Sequence, residues 1–152
     1  MRVRRERQKN GGQAAQALGR SRGGFSTKIH VKVDALGNPL CFTLTEGQRH
    51  DITQAPTLLE GSVCERVIAD RGYDADDFIA LIIERGATPV IPPRQNRKES
   101  REYDTHWYKE RHLVECFIGK IKHYRRVFSR FDKLARRFLG FLNFVGALIW
   151  LR

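Results

Sequence analysis

Between Phe25 and Asp34 the sequence "FSTKIHVKVD" alternates without a break: Phe25, Thr27, Ile29, Val31 and Val33 at odd positions, Ser26, Lys28, His30, Lys32 and Asp34 at even ones. Successive side chains of extended backbone point to opposite faces, so a period of two predicts a strand with its odd face turned to a core. "ALGNP" at 35–39 is turn chemistry. "LCFTLT" at 40–45 follows as a second strand, and a β-hairpin is the economical reading.

The rest of the chain supplies cover for that hairpin. "DITQAPTLLEG" has helical signals, with Asp51 a possible cap and Gly61 a possible stop. "RVIAD" is a short apolar strand ending on Asp70. In "RGYDADDFIALIIERG", Asp74 or a neighbour is expected to cap a helix whose apolar stripe runs through Phe78, Leu81 and Ile82 and which stops at Gly86. Tyr73 is expected to pack at that helix start. "ATPVIPP" reads as another short strand, "RQNRKESREYDTH" as a basic linker, and two helices close the chain. In the last of them Phe138, Phe141, Phe144 and Trp150 recur at near-helical spacing and are expected in the core. The order hairpin, helix, strand, helix, strand, helix, helix predicts an α/β fold: a mixed sheet flanked by helices. Residues 1–24, polar, basic and glycine-rich, read as an arm or long loop, and 25–152 as the folded unit.

Charge points to the partner. At 152 residues and 41% hydrophobic the chain can build one domain with a real core, yet Lys and Arg outnumber Asp and Glu by 28 to 17, a net +11. The cations are clustered in 2–9, 94–101 and 120–137. Runs of one sign on this scale fit a polyanion, nucleic acid first. Cys41, Cys64 and Cys116 are odd in number and far apart, which suggests neither a disulfide framework nor a zinc ribbon and fits a reducing cytoplasm. No apolar segment follows the basic start as in a signal peptide. The longest apolar stretch, Phe138 to Leu151, falls short of the roughly 20 residues a membrane span needs, so no membrane partner is expected.

Within this basic chain, "YKERHLVECFIGKIK" at 108–122 places one acid, Glu115, in an apolar run. Wound at about 100° per residue, Tyr108, Arg111, Glu115 and Lys122 fall within roughly 60° of one another. Trp107, Leu113, Val114, Phe117, Ile118 and Ile121 fill a neighbouring arc about 140° wide, the face such a helix buries. Glu115 is thus expected at the border of the core. An exposed pair with Arg111 at i−4, worth about 0.2–0.5 kcal/mol, is the plain alternative. Asp70 is open in the same way: a cap for the Arg71–Gly72 turn, or one of the carboxylates that phosphodiester chemistry with two metal ions requires. Arg111 and Lys122 could hold a phosphate beside such acids, Tyr108 could position sugar or phosphate, and Arg125 and Arg126 extend the basic run.

The spacing Tyr108-x2-Arg111-x3-Glu115-x6-Lys122 resembles the signature of bacterial insertion-sequence transposases of the DDE class. "ALGRSRGGFSTKIH", "DALGNPL", "EGQRHD", "IADRGYD", "VIPPRQNRK" and "RHLVECFIGKIKHYRRVFSRFDKLA" together resemble the insertion-sequence-five group, over most of the chain from Ala17 onward. The resemblance implies a ribonuclease-H-like catalytic domain that uses Mg²⁺, or Mn²⁺, to cut transposon ends and join them to target DNA. Asp70 would take the place of the second Asp and Glu115 that of the Glu, both as metal ligands. Terminal inverted repeats, target DNA and further copies of the chain would be the partners. In that family the first catalytic Asp ends the first strand, ahead of a basic segment resembling "VRRERQKNGG", where this chain begins. The resemblance therefore implies a partial domain lacking its first strand, with an upstream frame supplying the strand and its Asp. Asp34 sits where a hairpin turns and is a poor substitute, and Asp51 reads as a cap or supporting group.

Other constellations offer less. His30, His50, His106, His112 and His123 have no paired metal spacing with the cysteines. "GRSRGG" lacks the ending of a Walker loop and either approaches DNA phosphates or merely turns. A non-catalytic DNA-binding regulator or an inactive remnant stands as the alternative to a transposase component. A basic ribonucleoprotein component would explain the charge but not the four-residue stripe.

Overall fold

The computed structural model describes residues 12–21, 24–98 and 100–152. The α/β composition is as expected, but the strands form two small sheets where one mixed sheet was expected. In the first, β1 (Gly19–Ser21), β2 (Gly24–Val33) and β3 (Pro39–Glu46) are antiparallel in the order β1-β2-β3. In the second, β4 (Arg66–Ile68) and β5 (Thr88–Val90) are parallel. The reason lies on one edge of β2. From Thr27 to Val33 it pairs with β3, while among the described residues no strand meets its other edge, so no ladder carries on to β4.

Asp34 makes the hairpin turn. Its Oδ1 accepts from Leu36 N (2.9 Å) and Asn38 N (2.8 Å), and its Oδ2 from Asn38 Nδ2 (3.2 Å). Gly37 supplies the positive φ of 83° that the turn requires. Burial works to raise the Asp34 carboxyl, but these hydrogen bonds outweigh it and hold it below its usual value. Both Asp34 oxygens are thus engaged in its own turn.

Part of the expected arm is ordered. Gly12–Ala15 form a helical turn, α1, and β1 pairs with the start of β2, Arg20 opposite Phe25. Ala17 O accepts from Thr27 Oγ1 and from Arg130 Nη1 (3.0 Å), and Gln16 Oε1 accepts from Ala135 N (2.8 Å). Residues 1–11 lie outside the described residues.

Each sheet has its own core. The odd face of β2 behaves as its periodicity predicts: Ile29, Val31 and Val33 pack with Leu44 and Phe42 against α5 (His112–Lys122), α6 (Arg125–Phe128) and α7 (Ala135–Trp150), around buried Phe117, Ile121, Val127, Phe138, Leu142 and Val145. Phe25, at the strand's start, is 62% exposed. On α7 the buried residues follow Phe138, Leu142 and Val145, while Phe144 and Trp150 are exposed. The expectation holds for Phe138 and partly for Phe141, which packs against the core, but fails for Phe144 and Trp150, because the inward stripe continues through Leu142 and Val145. Trp150 instead donates from Nε1 to Pro39 O at the rim (2.8 Å).

The second core gathers Ala55 and Leu59 of α2 (Ala55–Leu59), Phe78, Ile79 and Ile82 of α3 (Asp76–Glu84), and Ala87 and Ile91. The even face of β2 turns toward this half rather than to solvent. Lys28 Nζ pairs with Asp51 Oδ1 (2.8 Å), Lys32 Nζ donates to Ser62 Oγ (2.8 Å), and His30 is buried. Neither expected carboxylate cap forms: Asp51 is drawn to Lys28, and α3 begins at Ala75 without a side-chain cap because Asp74 is occupied elsewhere.

Candidate functional site

Asp70 lies two residues beyond the end of β4, after Ala69. Ala69 N still donates to Val90 O (3.3 Å); Asp70 is then extended, and its Oδ1 accepts from Gly72 N (2.8 Å), capping the tight turn Arg71–Tyr73. Asp51 comes to the same place from the turn after β3. A Cβ on Gly72 would stand 2.9 Å from Asp70 Oδ1 and 3.4 Å from Asp51 Oδ2, so the two carboxylates flank this glycine. Only a residue without a side chain allows that approach.

A polar layer backs the pair. His30 Nε2 lies 2.7 Å from Thr45 Oγ1, and His30 Nδ1 lies 3.4 Å from the Tyr73 hydroxyl. Burial, with the nearby charges of Asp51 and Asp70, pushes the Tyr73 hydroxyl up beyond its ordinary range. Burial pulls His30 down; the Asp51 charge opposes this and the Lys28 charge adds to it. Tyr73 therefore packs at the helix start, against Phe78 with ring centroids 6.3 Å apart, and also closes this layer.

Asp74 anchors the basic linker against the same turn. Its side chain has no exposed surface and accepts from Arg94 N (2.8 Å), Arg97 Nε (2.9 Å) and Arg101 Nη2 (2.7 Å). Arg97 also pairs with Asp76, and Arg94 Nη2 donates to Gly72 O (3.1 Å). Burial tends to raise the Asp74 carboxyl, but the bonds from Arg94, Arg101 and Arg97 hold it below its usual value.

The second group of candidates lies on the helical segment after that linker. Asp104 accepts from His106 N (2.8 Å) and Trp107 N (3.1 Å), starting α4 (Thr105–Tyr108); one 3-10 turn, Lys109–Arg111, joins it to α5. The single helix expected over 108–122 is thus tightened at its start. Arg111 pairs with Glu115, and its guanidinium lies 5.8 Å from the Tyr108 ring centre, so these three are contiguous. Glu115, expected at the core border, is 60% exposed along its side chain. Trp107, expected in the buried arc, is exposed instead, with the Arg66 guanidinium 4.3 Å above its ring. Lys122 is exposed two turns further on. Arg125 lies over Phe131 (5.6 Å), and Arg126 lies over Phe141 (5.1 Å) and pairs with Asp132 (3.2 Å).

Whether these acids fit divalent metals can be tested on the geometry. Among the described residues no three His, Cys, Asp or Glu side chains stand close enough to hold one ion. One Asp70 oxygen is engaged by a backbone amide, and Glu115 is neutralised by Arg111. Two metals 3.5–4 Å apart need more carboxylate than this. The described acids do not by themselves fit a two-metal site.

A model of the transposase DDE domain matches residues 1–150. The chain belongs to the DDE transposase family. A Brucella ovis protein named as a transposase for insertion sequence element IS6501 is 43% identical over 130 residues, covering 84% of this chain and the whole of that protein. A Burkholderia cepacia protein named as a transposase for IS402 is 32% identical over 135 residues, covering 81% of this chain and 62% of that protein. No solved structure matches the chain significantly. Among the described residues, no helix of this transposase-family chain is long and apolar enough to cross a membrane.

The sequence signature thus corresponds to one contiguous trio, Tyr108, Arg111 and Glu115, with Lys122 further along, and to a separate acidic turn at Asp70. Sequence reasoning missed the Asp74 knot and the closeness of Asp51 to Asp70. For the knot a signal existed: four cations in 94–101 stand against three acids in 74–77.

Proposed function

We propose that this chain is the downstream part of an insertion-sequence transposase of the insertion-sequence-five group, acting in Mg²⁺- or Mn²⁺-dependent cleavage and strand transfer at transposon ends. Asp70 and Glu115 are its contribution to the catalytic carboxylates. Tyr108, Arg111, Lys122, Arg125 and Arg126 face DNA, both the terminal inverted repeats and the target. The remaining carboxylate comes from an upstream half, carried on a strand that inserts between the two sheets. The observation that carries this reading is that, among the described residues, no strand pairs with the edge of β2 away from β3 between Thr27 and Val33, while β4 pairs with β5 alone. An open edge of that length is a template for another strand. The IS402 relative has chain outside the matched region, whereas the IS6501 relative is matched over its whole length. The fold is then ribonuclease-H-like in its completed form, the cations of 2–9 add to DNA binding, the assembled complex holds several copies, and the work is done in the bacterial cytoplasm on nucleoid DNA.

The test is co-expression with an upstream frame encoding an apolar strand that ends in Asp, followed by an excision assay. Excision is expected only with both halves present, and Glu115→Gln is expected to abolish it while leaving duplex binding intact. Equal excision by that variant would sink the catalytic assignment. Duplex binding without excision under every combination would instead favour a non-catalytic regulator.

A further inference from the structure

A groove of about 480 Å³ opens between the start of β2 and the α5–α6 corner. Phe25 and Phe128 stand on its walls and Ile29, Ile121 and Phe138 form its floor. Phe25 is 62% exposed and Phe128 74%, an arrangement that hydrophobicity alone would not leave facing water. Nearby, Phe131 is 58% exposed with the Arg125 guanidinium on one side of its ring.

The charge at this groove has one sign. Its lining includes Lys122 and Arg130 and, among the described residues, no carboxylate. Arg130 is structural: its guanidinium donates to the carbonyls of Gln16 and Ala17, and burial lowers its pKa. Lys122 is exposed and hydrogen-bonds through its side chain to none of the described residues. Open aromatic faces beside an unspent cation suit a single nucleic-acid strand: bases stack on the rings while a phosphate meets the positive charge. Double-stranded DNA cannot use such rings, because its bases are already stacked on each other.

We infer that this groove holds unpaired nucleotides of a DNA strand, with Phe128 and Phe25 as stacking surfaces and Lys122 on the adjoining phosphate. The inference rests on the DNA-binding reading proposed above and adds to it a preference for opened strand. A groove of this volume has room for one or two stacked bases, within the range of ordinary ligand sites.

The test measures binding of the full chain to a homothymidine strand of about 15 nucleotides and to a blunt duplex of similar length, at one fixed salt concentration. Phe128→Ala is expected to weaken the single strand about tenfold or more and the duplex less than about twofold, while Phe128→Trp retains single-strand affinity. Phe128 is exposed, so folding should survive either change, and circular dichroism checks this. Equal losses on both probes, or none on either, would overturn the inference while leaving the DNA reading intact. If the unsubstituted chain binds neither probe, the DNA reading itself fails, and the inference with it. Altered self-association of Phe128→Ala with unchanged single-strand affinity would make the face a protein contact and also overturn it.

Discussion

The two places proposed to carry catalytic acids, the turn at Asp70 and the helix at Glu115, are built in opposite ways. Around Asp70 nearly every charge is matched: Gly72 N on Asp70, Lys28 on Asp51, and three donors on an Asp74 side chain with no exposed surface. Along α5 the polar residues stand out in water, tied by one Arg111–Glu115 pair and a ring contact to Tyr108. The first arrangement fixes backbone and carboxylates before any ligand arrives. The second holds its side chains by little besides one another. A site made from both needs one rigid wall and one adaptable one, and the comparison predicts that substitutions in the first region act on folding while those in the second act on binding.

The sharpest break in that comparison is Asp74→Ala. It would leave Arg101, three-quarters covered, without its counter-charge, Arg97 with only the exposed Asp76, and the Arg94 N–H without its acceptor. Removing one partner of a buried pair costs about 3 kcal/mol or more. Urea unfolding should show that loss, and a change under about 1 kcal/mol would mean the basic linker is held by other contacts. No comparable loss is expected from any single member of the α5 stripe.

This contrast also explains what could be read from the sequence. Periodicity identified the hairpin, the three longest helices and the two short strands because each buries a regular face, as Ile29, Val31 and Val33 do. It could not show that the even face of β2 is covered as well, because Lys28, His30 and Lys32 look like solvent residues until Asp51, Tyr73 and Ser62 are brought to them. The division into two sheets was equally hidden, since a strand's pattern does not say which edge is paired. Spacing alone put Tyr108, Arg111 and Glu115 together, as neighbours on one helix face must be. The approach of Asp51 to Asp70 depends on a glycine between two turns distant in sequence, and local patterns carry no record of it.

A middle-sized effect should come from His30, at the join between the regions. Burial holds its folded pKa below the ordinary 6.5, so the unfolded chain binds the proton more readily than the folded one. The sign follows: this contribution to stability is complete above pH 6.5 and is lost as pH falls through that value toward the lower folded pKa. Asp34 and Asp74 also have lowered values, but from an ordinary 3.8, so their contributions fade in a separate, more acidic window. Thermal unfolding should therefore show stability falling as pH drops below about 6.5, with a slope of at most about 1.4 kcal/mol per pH unit for this one proton. His30→Gln should flatten that stretch of the curve. An unchanged slope would place the titration elsewhere and remove His30 from the join.

The smallest effect on stability should come from the stripe itself. Arg111→Ala removes an exposed i,i+4 pair, which is worth only about 0.2–0.5 kcal/mol. Its consequence for DNA should be larger in kind: if Arg111 reaches a phosphate, the variant binds duplex more weakly at every sequence, and the slope of log affinity against log salt falls by about one. A stability loss above about 1 kcal/mol with an unchanged salt slope would reverse the assignment. Arg111 would then belong with Asp74, holding structure, and Glu115 beside it would have to be read as its structural counter-ion before being read as a ligand.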